Sequence, residues 1–189
     1  MPGRPWQHGR PLFFGAMMRE APAMSGNRIR AFGALVVSVL FAGDAAAAGK
    51  ADLVRVDKSE RRLELLANGV VLKTYSVALG ANPVGHKQRE GDERTPEGRY
   101  ILDWRNPKSA FTKSIHVSYP DKADKARARR AGVSPGGDIM IHGQPKGYGW
   151  WAWLTQLFDW TNGCIAVTDD EMKEIWDMVA DGTPIEISP

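Results

Sequence analysis

The chain has 189 residues, 25 Lys+Arg against 22 Asp+Glu, a formal net charge of +3 and a single cysteine. The positive excess lies at the front: residues 1–48 hold five bases and two acids, leaving 20 of each sign in 49–189, so charge gives no case for nucleic-acid binding. One Cys excludes an internal disulfide scaffold, and without C-x-x-C or H-E-x-x-H spacing a zinc site has no support.

Residues 1–23 read as an upstream extension. From Met24, Arg28 and Arg30 precede an apolar run, Ala31 to Ala42, and Ala45 to Ala48 offers an A-x-A cleavage pattern. That run is too short to cross the roughly 30 Å bilayer core comfortably as a helix, which favours cleavage near Ala48 over retention as an anchor. The predicted organisation is a presequence over 1–48 and one exported domain over 49–189. Membrane contact is expected only through an uncleaved signal.

Past Asp52 the chain is β-rich. Leu53-Val54-Arg55-Val56 alternates, and Asp57 to Arg61 reads as a polar turn. Leu63 to Leu66 resumes the strand pattern, and Asn68-Gly69 suits a two-residue hairpin turn, whose central positions both need positive φ. Val70 to Leu79 predicts a third strand, long enough to be central, and completes an antiparallel meander. Gly80 to Glu93 is a polar connection without a period. Thr95-Pro96-Glu97-Gly98 fits a type I turn. Strands follow over Arg99 to Trp104 and Ser114 to Tyr119. The basic cluster Lys122 to Arg130 reads as a solvated run with a short helix. Asp138 to His142 is an apolar strand ending in His142-Gly143.

Gly147 to Trp160 carries Trp150, Trp151, Trp153, Phe158 and Trp160. Large rings most often bury for core energy, which predicts a short helix packed on the sheet; the alternative is a flap covering a cleft. Asn162 to Val167 reads as a turn and a strand. Thr168-Asp169-Asp170-Glu171 is a capping box, so a helix starts at Asp169 and runs to about Val179, burying Met172, Ile175, Trp176 and Val179. Pro184 to Ile187 supplies a last strand. Eight short strands and one clear helix predict a mostly-β fold, a curved sheet or small barrel.

The lone Cys164 follows Gly163, which permits a tight bend and leaves neighbouring N–H groups open to an oxyanion. A thiol needs a base or cation to become a thiolate near neutral pH. Of His86, His116 and His142, the last ends a strand and lies 22 residues before the cysteine. On chemistry alone, buried structural roles for both residues stay open.

The run Ile141-His142-Gly143, followed by Thr161-Asn162-Gly163-Cys164-Ile165, resembles the YkuD-type L,D-transpeptidase domain, whose signature is His-Gly and then Ser/Thr-His-Gly-Cys. Thr95-Pro96-Glu97-Gly98 looks like the family's Thr-Pro-x-Gly motif. The Gly-Cys-Ile-Ala-Val block looks like the YafK-like branch of exported murein L,D-transpeptidases. The resemblance spans nearly all of the chain from Asp52 onward. It implies a cysteine acyltransferase of the cell envelope or periplasm, acting on peptidoglycan stem peptides without metal or organic cofactor, in wall synthesis and cell shape.

Under that resemblance Cys164 is the nucleophile and His142 the base. Gly143 orients the imidazole through its carbonyl, and the Gly163 and Cys164 N–H groups hold the oxyanion. The acceptor is an amine of a neighbouring stem or a wall-linked lipoprotein; the alternatives are water, giving a carboxypeptidase or amidase, and a wall-binding module without activity. Two positions depart from the pattern. Asn162 stands where the family has His, which leaves proton transfer to His142 alone. Ala166 stands where it has Arg, with Arg99, Arg105 and Lys113 as substitutes.

Overall fold

The computed structural model describes residues 50–189, so the expected extension, signal and cleavage site lie outside the described residues. Eight strands make one curled sheet: β1 (Leu53–Asp57), β2 (Arg62–Ala67), β3 (Val70–Ser76), β4 (Gly98–Asn106), β5 (Ser114–Val117), β6 (Met140–His142), β7 (Ile165–Ala166) and β8 (Thr183–Ser188). Their order across the sheet is β3-β2-β1-β8-β4-β5-β6-β7. The fold is mostly β, as its composition predicts.

The first three strands form the expected meander. Asn68 and Gly69 have φ of 52° and 78°, the left-handed pair that joins Ala67 to its partner Val70. The third strand is not central, however. β3 is the sheet's edge, with Val70 63% and Val71 43% exposed. The central place goes to the last strand, β8, which lies parallel to β1 and antiparallel to β4, with Ile185 opposite both Val54 and Tyr100. Length alone cannot reveal this, because a strand at the other end of the domain, Thr183–Ser188, decides it.

After β3 the backbone leaves the edge and reaches the far end of the sheet. Ala78 and Ala166 exchange two backbone hydrogen bonds, of 2.9 and 2.8 Å, and Gly80 bridges Thr161. The segment 77–80 thus ties the β3 side to β7 and closes the curl. The interior is filled by Val54, Val56, Leu63, Leu65, Leu102, Ile115, Ile141, Ile165 and Ile185, all at or near zero exposure. Each contributes about 1.5–3 kcal/mol relative to an exposed position.

Three helices accompany the sheet: α1 (Lys122–Ala131), α2 (Ala152–Thr155) and α3 (Asp169–Met178). In α1 the reciprocal bonds of Asp121 and Asp124 cap the start, and Gly132 closes the end in the left-handed conformation. In α3 Thr168 caps, Glu171 bonds back, and Met172, Ile175 and Met178 are buried. The expected boundary at Asp169 is the observed one.

Thr95 to Gly98 is not a type I turn. The chain there runs without a turn into β4, and Gly98 enters the strand at φ 129°. Thr95 is fully buried; its Oγ1 accepts from the Gly80 N–H at 3.1 Å and its carbonyl accepts from Lys58. Tertiary partners, rather than the Pro-Glu pair, set this backbone. The preceding loop is stitched by Asp92, which accepts from the N–H groups of Gln88, Arg89 and Arg94 and from Lys87 Nζ. Burial works against its charge, but these donors prevail and hold its carboxyl at about 2.

Candidate active site

β6 and β7 run parallel, with Ile141 opposite Ile165 and His142 opposite Ala166. Strand side chains alternate, so the two isoleucines enter the core and His142 faces the other way. Cys164 precedes Ile165 by one residue and therefore points to the same face as His142. The sheet register, not a loop, brings the two candidate residues together. They line one cleft of about 340 Å³ with Phe111, Asp138, Trp160, Thr161 and Asn162.

His142 is 3% exposed and its ring is held between aromatics, 4.4 Å from Phe111 and 5.8 Å from Trp160 by centroid distance. Its Nδ1 lies 2.7 Å from the Gly143 carbonyl oxygen. A carbonyl only accepts, so Nδ1 carries the proton and Nε2 keeps a free lone pair. Burial pushes the imidazole below its ordinary value, and the Gly143 bond offsets this only in part. The Gly143 geometry is thus the one expected for an orienting carbonyl.

Cys164 Sγ lies 3.6 Å from the Asp138 carbonyl, its hydrogen-bond partner among the described residues. Burial pushes the thiol up; the Met140 N–H facing the sulfur pulls down, Asp138 pushes up and Lys87 pulls down, each by less. Burial thus disfavours the charged form of both groups.

The loop before Cys164 is fixed by one hydroxyl. Thr161 Oγ1 donates to the Cys164 carbonyl at 2.7 Å and accepts from the Gly163 N–H at 3.1 Å. The expectation for Gly163 as an oxyanion donor is therefore corrected: its N–H is occupied inside the loop. Gly163 matters sterically, since it has φ 119° and a Cβ there would meet the Arg94 carbonyl at 2.5 Å. Asn162 is exposed at the cleft's rim, so it can meet a ligand but holds nothing in place.

Ala166 is fully buried between its partners His142 and Ala78. None of the three expected substitutes for a cation lines the cleft. Arg99 pairs with Glu186, Arg105 with Asp181, and the Lys113 ammonium sits over the Trp176 ring.

The aromatic segment is the largest departure from expectation. Gly149–Trp151 forms a 3-10 turn leading into α2, yet Trp150, Trp153 and Phe158 are 73%, 68% and 63% exposed. It is not packed on the sheet. Only Trp160 turns inward, to line the cleft, and its buried indole N–H has no partner within the described residues. Phe111 and Asp138 were not legible as site residues, since nothing local to their sequence marks them; Trp160 was in view only as part of a possible flap over a cleft.

The family model described as the L,D-transpeptidase catalytic domain (YkuD) matches residues 51–187. YafK of Escherichia coli K12, provisionally named an L,D-transpeptidase, is 31% identical over 113 residues, 56% of this chain and 44% of its own. The helical cell shape determining protein Pgp2 of Campylobacter jejuni shares the fold, with TM-score 0.56, 24% identity, and 74% and 48% of the two chains covered. Bd1075 of Bdellovibrio bacteriovorus aligns with TM-score 0.51 and 26% identity, over 75% and 49%. The chain spans about half the length of these relatives.

Proposed function

Because the chain belongs to the L,D-transpeptidase catalytic domain family, we propose that it is an exported peptidoglycan L,D-transpeptidase of the periplasm that works through a Cys164 acyl-enzyme. The observation that carries this reading is a shared cleft in which His142 Nε2 is free to accept a proton while Nδ1 is held by Gly143.

The chemistry follows from the resting state. The Cys164 proton leaves its contact with the Asp138 carbonyl and passes to His142 Nε2 as the sulfur attacks the stem-peptide carbonyl that precedes the terminal D-alanine. The Cys164 N–H, which has no partner among the described residues, faces the developing oxyanion. The C–N bond to D-alanine then breaks, and the proton on Nε2 goes to the leaving amine. An acceptor amine attacks the thioester, loses its proton to Nε2, and regenerates the thiol.

A second reading, with water as acceptor, is favoured by one observation. In the alternative reading of the aromatic segment as a flap its rings would cover the cleft, yet Trp150, Trp153 and Phe158 stand mostly in solvent, which leaves the acyl group less shielded from water. The enzyme would then be a carboxypeptidase, or an amidase releasing a wall-linked lipoprotein. Incubation of the full chain with disaccharide-tetrapeptide, alone and with an acceptor stem, separates the two. Cross-linked dimers support transfer; tripeptide without dimer supports hydrolysis. No D-alanine release beyond that of Cys164→Ala would overturn the transpeptidase and the carboxypeptidase, and failure to free a stem from its linked lipoprotein would overturn the amidase.

A further inference from the structure

The carbonyl that orients His142 belongs to a peptide group whose other end is also engaged. The Gly143 oxygen accepts from His142 Nδ1–H at 2.7 Å, and the Gln144 N–H of that same peptide donates to Asp169 Oδ1 at 2.8 Å. A carboxylate, a peptide and an imidazole therefore stand in one hydrogen-bonded line.

We propose that Asp169 is a positioning residue that acts on His142 through the Gly143–Gln144 peptide. A carboxylate on the peptide N–H polarises the group and makes its carbonyl oxygen a stronger acceptor. The stronger acceptor holds the Nδ1–H tautomer, keeps Nε2 free for the Cys164 proton, and stabilises the imidazolium formed as that proton arrives. This rests on the reading of His142 as the base.

Two further observations support the assignment. A Cβ on Gly143 would lie 2.5 Å from Asp169 Oδ1, so the bare Cα is what admits the carboxylate. The three acids in the first turn of α3 also have separate partners. Glu171 closes the capping box with Thr168, Asp170 pairs with Lys173 in solvent, and Asp169 turns to Gln144. Starting the helix accounts for Glu171; it does not account for where Asp169 points. Gln144 itself is fully buried, with Nε2 donating to the Val167 carbonyl at 2.7 Å, which fixes the peptide against β7 and α3.

The test is a 15N NMR titration of the imidazoles in the full chain, comparing wild type, Asp169→Asn and Asp170→Asn, with His142→Asn to assign the signal. Asn at 169 keeps an oxygen for the Gln144 N–H and removes the charge. Asp170→Asn removes the same charge from the helix start without touching the peptide. The other titratable groups bordering His142 are Cys164 and Asp138, which line the same cleft and are constant across the series.

In Asp169→Asn the His142 midpoint is expected to fall by about one pH unit, with the neutral ring shifted toward the Nε2–H tautomer, and Cys164 acylation to fall about tenfold. Asp170→Asn should change neither. Should Asn not fold, Asp169→Ser, well suited to a helix start, gives the same readout. An unchanged midpoint and tautomer in a folded 169 variant, or equal shifts at 169 and 170, would overturn the proposal. The titration needs no substrate, so failure of the relay stays distinguishable from failure of the acyl-transfer reading.

Discussion

The segment from His142 to Cys164 divides into two regions of opposite character. At the two ends short hydrogen bonds and close steric contacts fix the backbone. His142 bonds Gly143, Gly163 bonds Thr161, and the glycines sit where a Cβ would collide. In the middle, Tyr148, Trp150, Trp153, Leu157 and Phe158 stand more than half exposed. Parallel pairing of β6 and β7 dictates the ends, whereas the middle is tethered at a few points, among them Thr155 donating to Gln144 at 2.6 Å. Apolar content thus predicts burial only where a sheet or helix face is there to receive it.

The sharpest way to break this contrast is to substitute at its ends. Cys164→Ala should abolish acylation while leaving the melting temperature near that of wild type, since the thiol's own hydrogen bond, to the Asp138 carbonyl, is long at 3.6 Å. His142→Asn should lower the acylation rate by about 10²–10⁴, the range for a general base, measured by single-turnover D-alanine release. An unchanged rate would remove His142 from the chemistry.

Gly143→Ala comes next. The added methyl meets Asp169 Oδ1 at 2.5 Å and Phe111 O at 3.2 Å, so the backbone must shift; a loss of about 1–3 kcal/mol is expected in urea unfolding. Trp150→Ser and Trp153→Ser, by contrast, should stay within about 0.5 kcal/mol, as exposed positions do. A loss comparable to that of Gly143→Ala would mean that the aromatic segment is packed after all.

The smallest effect is in pH. Burial raises the Cys164 thiol and lowers the His142 imidazole, so the thiolate forms only above the ordinary thiol range. Iodoacetamide labelling of Cys164 should be slow at neutral pH and still climbing at about pH 9. A plateau reached near neutrality would indicate a preformed ion pair. Asp92, in the loop that precedes β4, gives a second pH signature. Its folded carboxyl is depressed to about 2, so its stabilisation is present above its unfolded value and is lost as pH falls toward 2.

Much of the fold was legible where the signal is local. Asn68-Gly69 named its own turn, and Thr168 to Glu171 named the start of α3. What failed was decided at long range. β3 is an edge because β8 returns beside β1, and Thr95 is extended because Gly80 and Lys58 hold it. The same division runs through the site. A strand end and a Gly-Cys step made His142 and Cys164 candidates, and the resemblance to the L,D-transpeptidase domain singled them out, while the engaged Gly163 N–H depends on the Thr161 rotamer. Asp169 was visible only as a helix start, because its contact with Gln144 spans 25 residues.

The central claim, that Cys164 carries the acyl group, is tested most directly by intact-protein mass spectrometry of the full chain. The chain is quenched in acid after brief exposure to disaccharide-tetrapeptide and then mapped by peptide. A thioester adduct of the substrate less D-alanine is expected on the peptide containing Cys164, absent from Cys164→Ala and scarce in His142→Asn. D-alanine release without any such adduct, or an adduct that persists in Cys164→Ala, would contradict it.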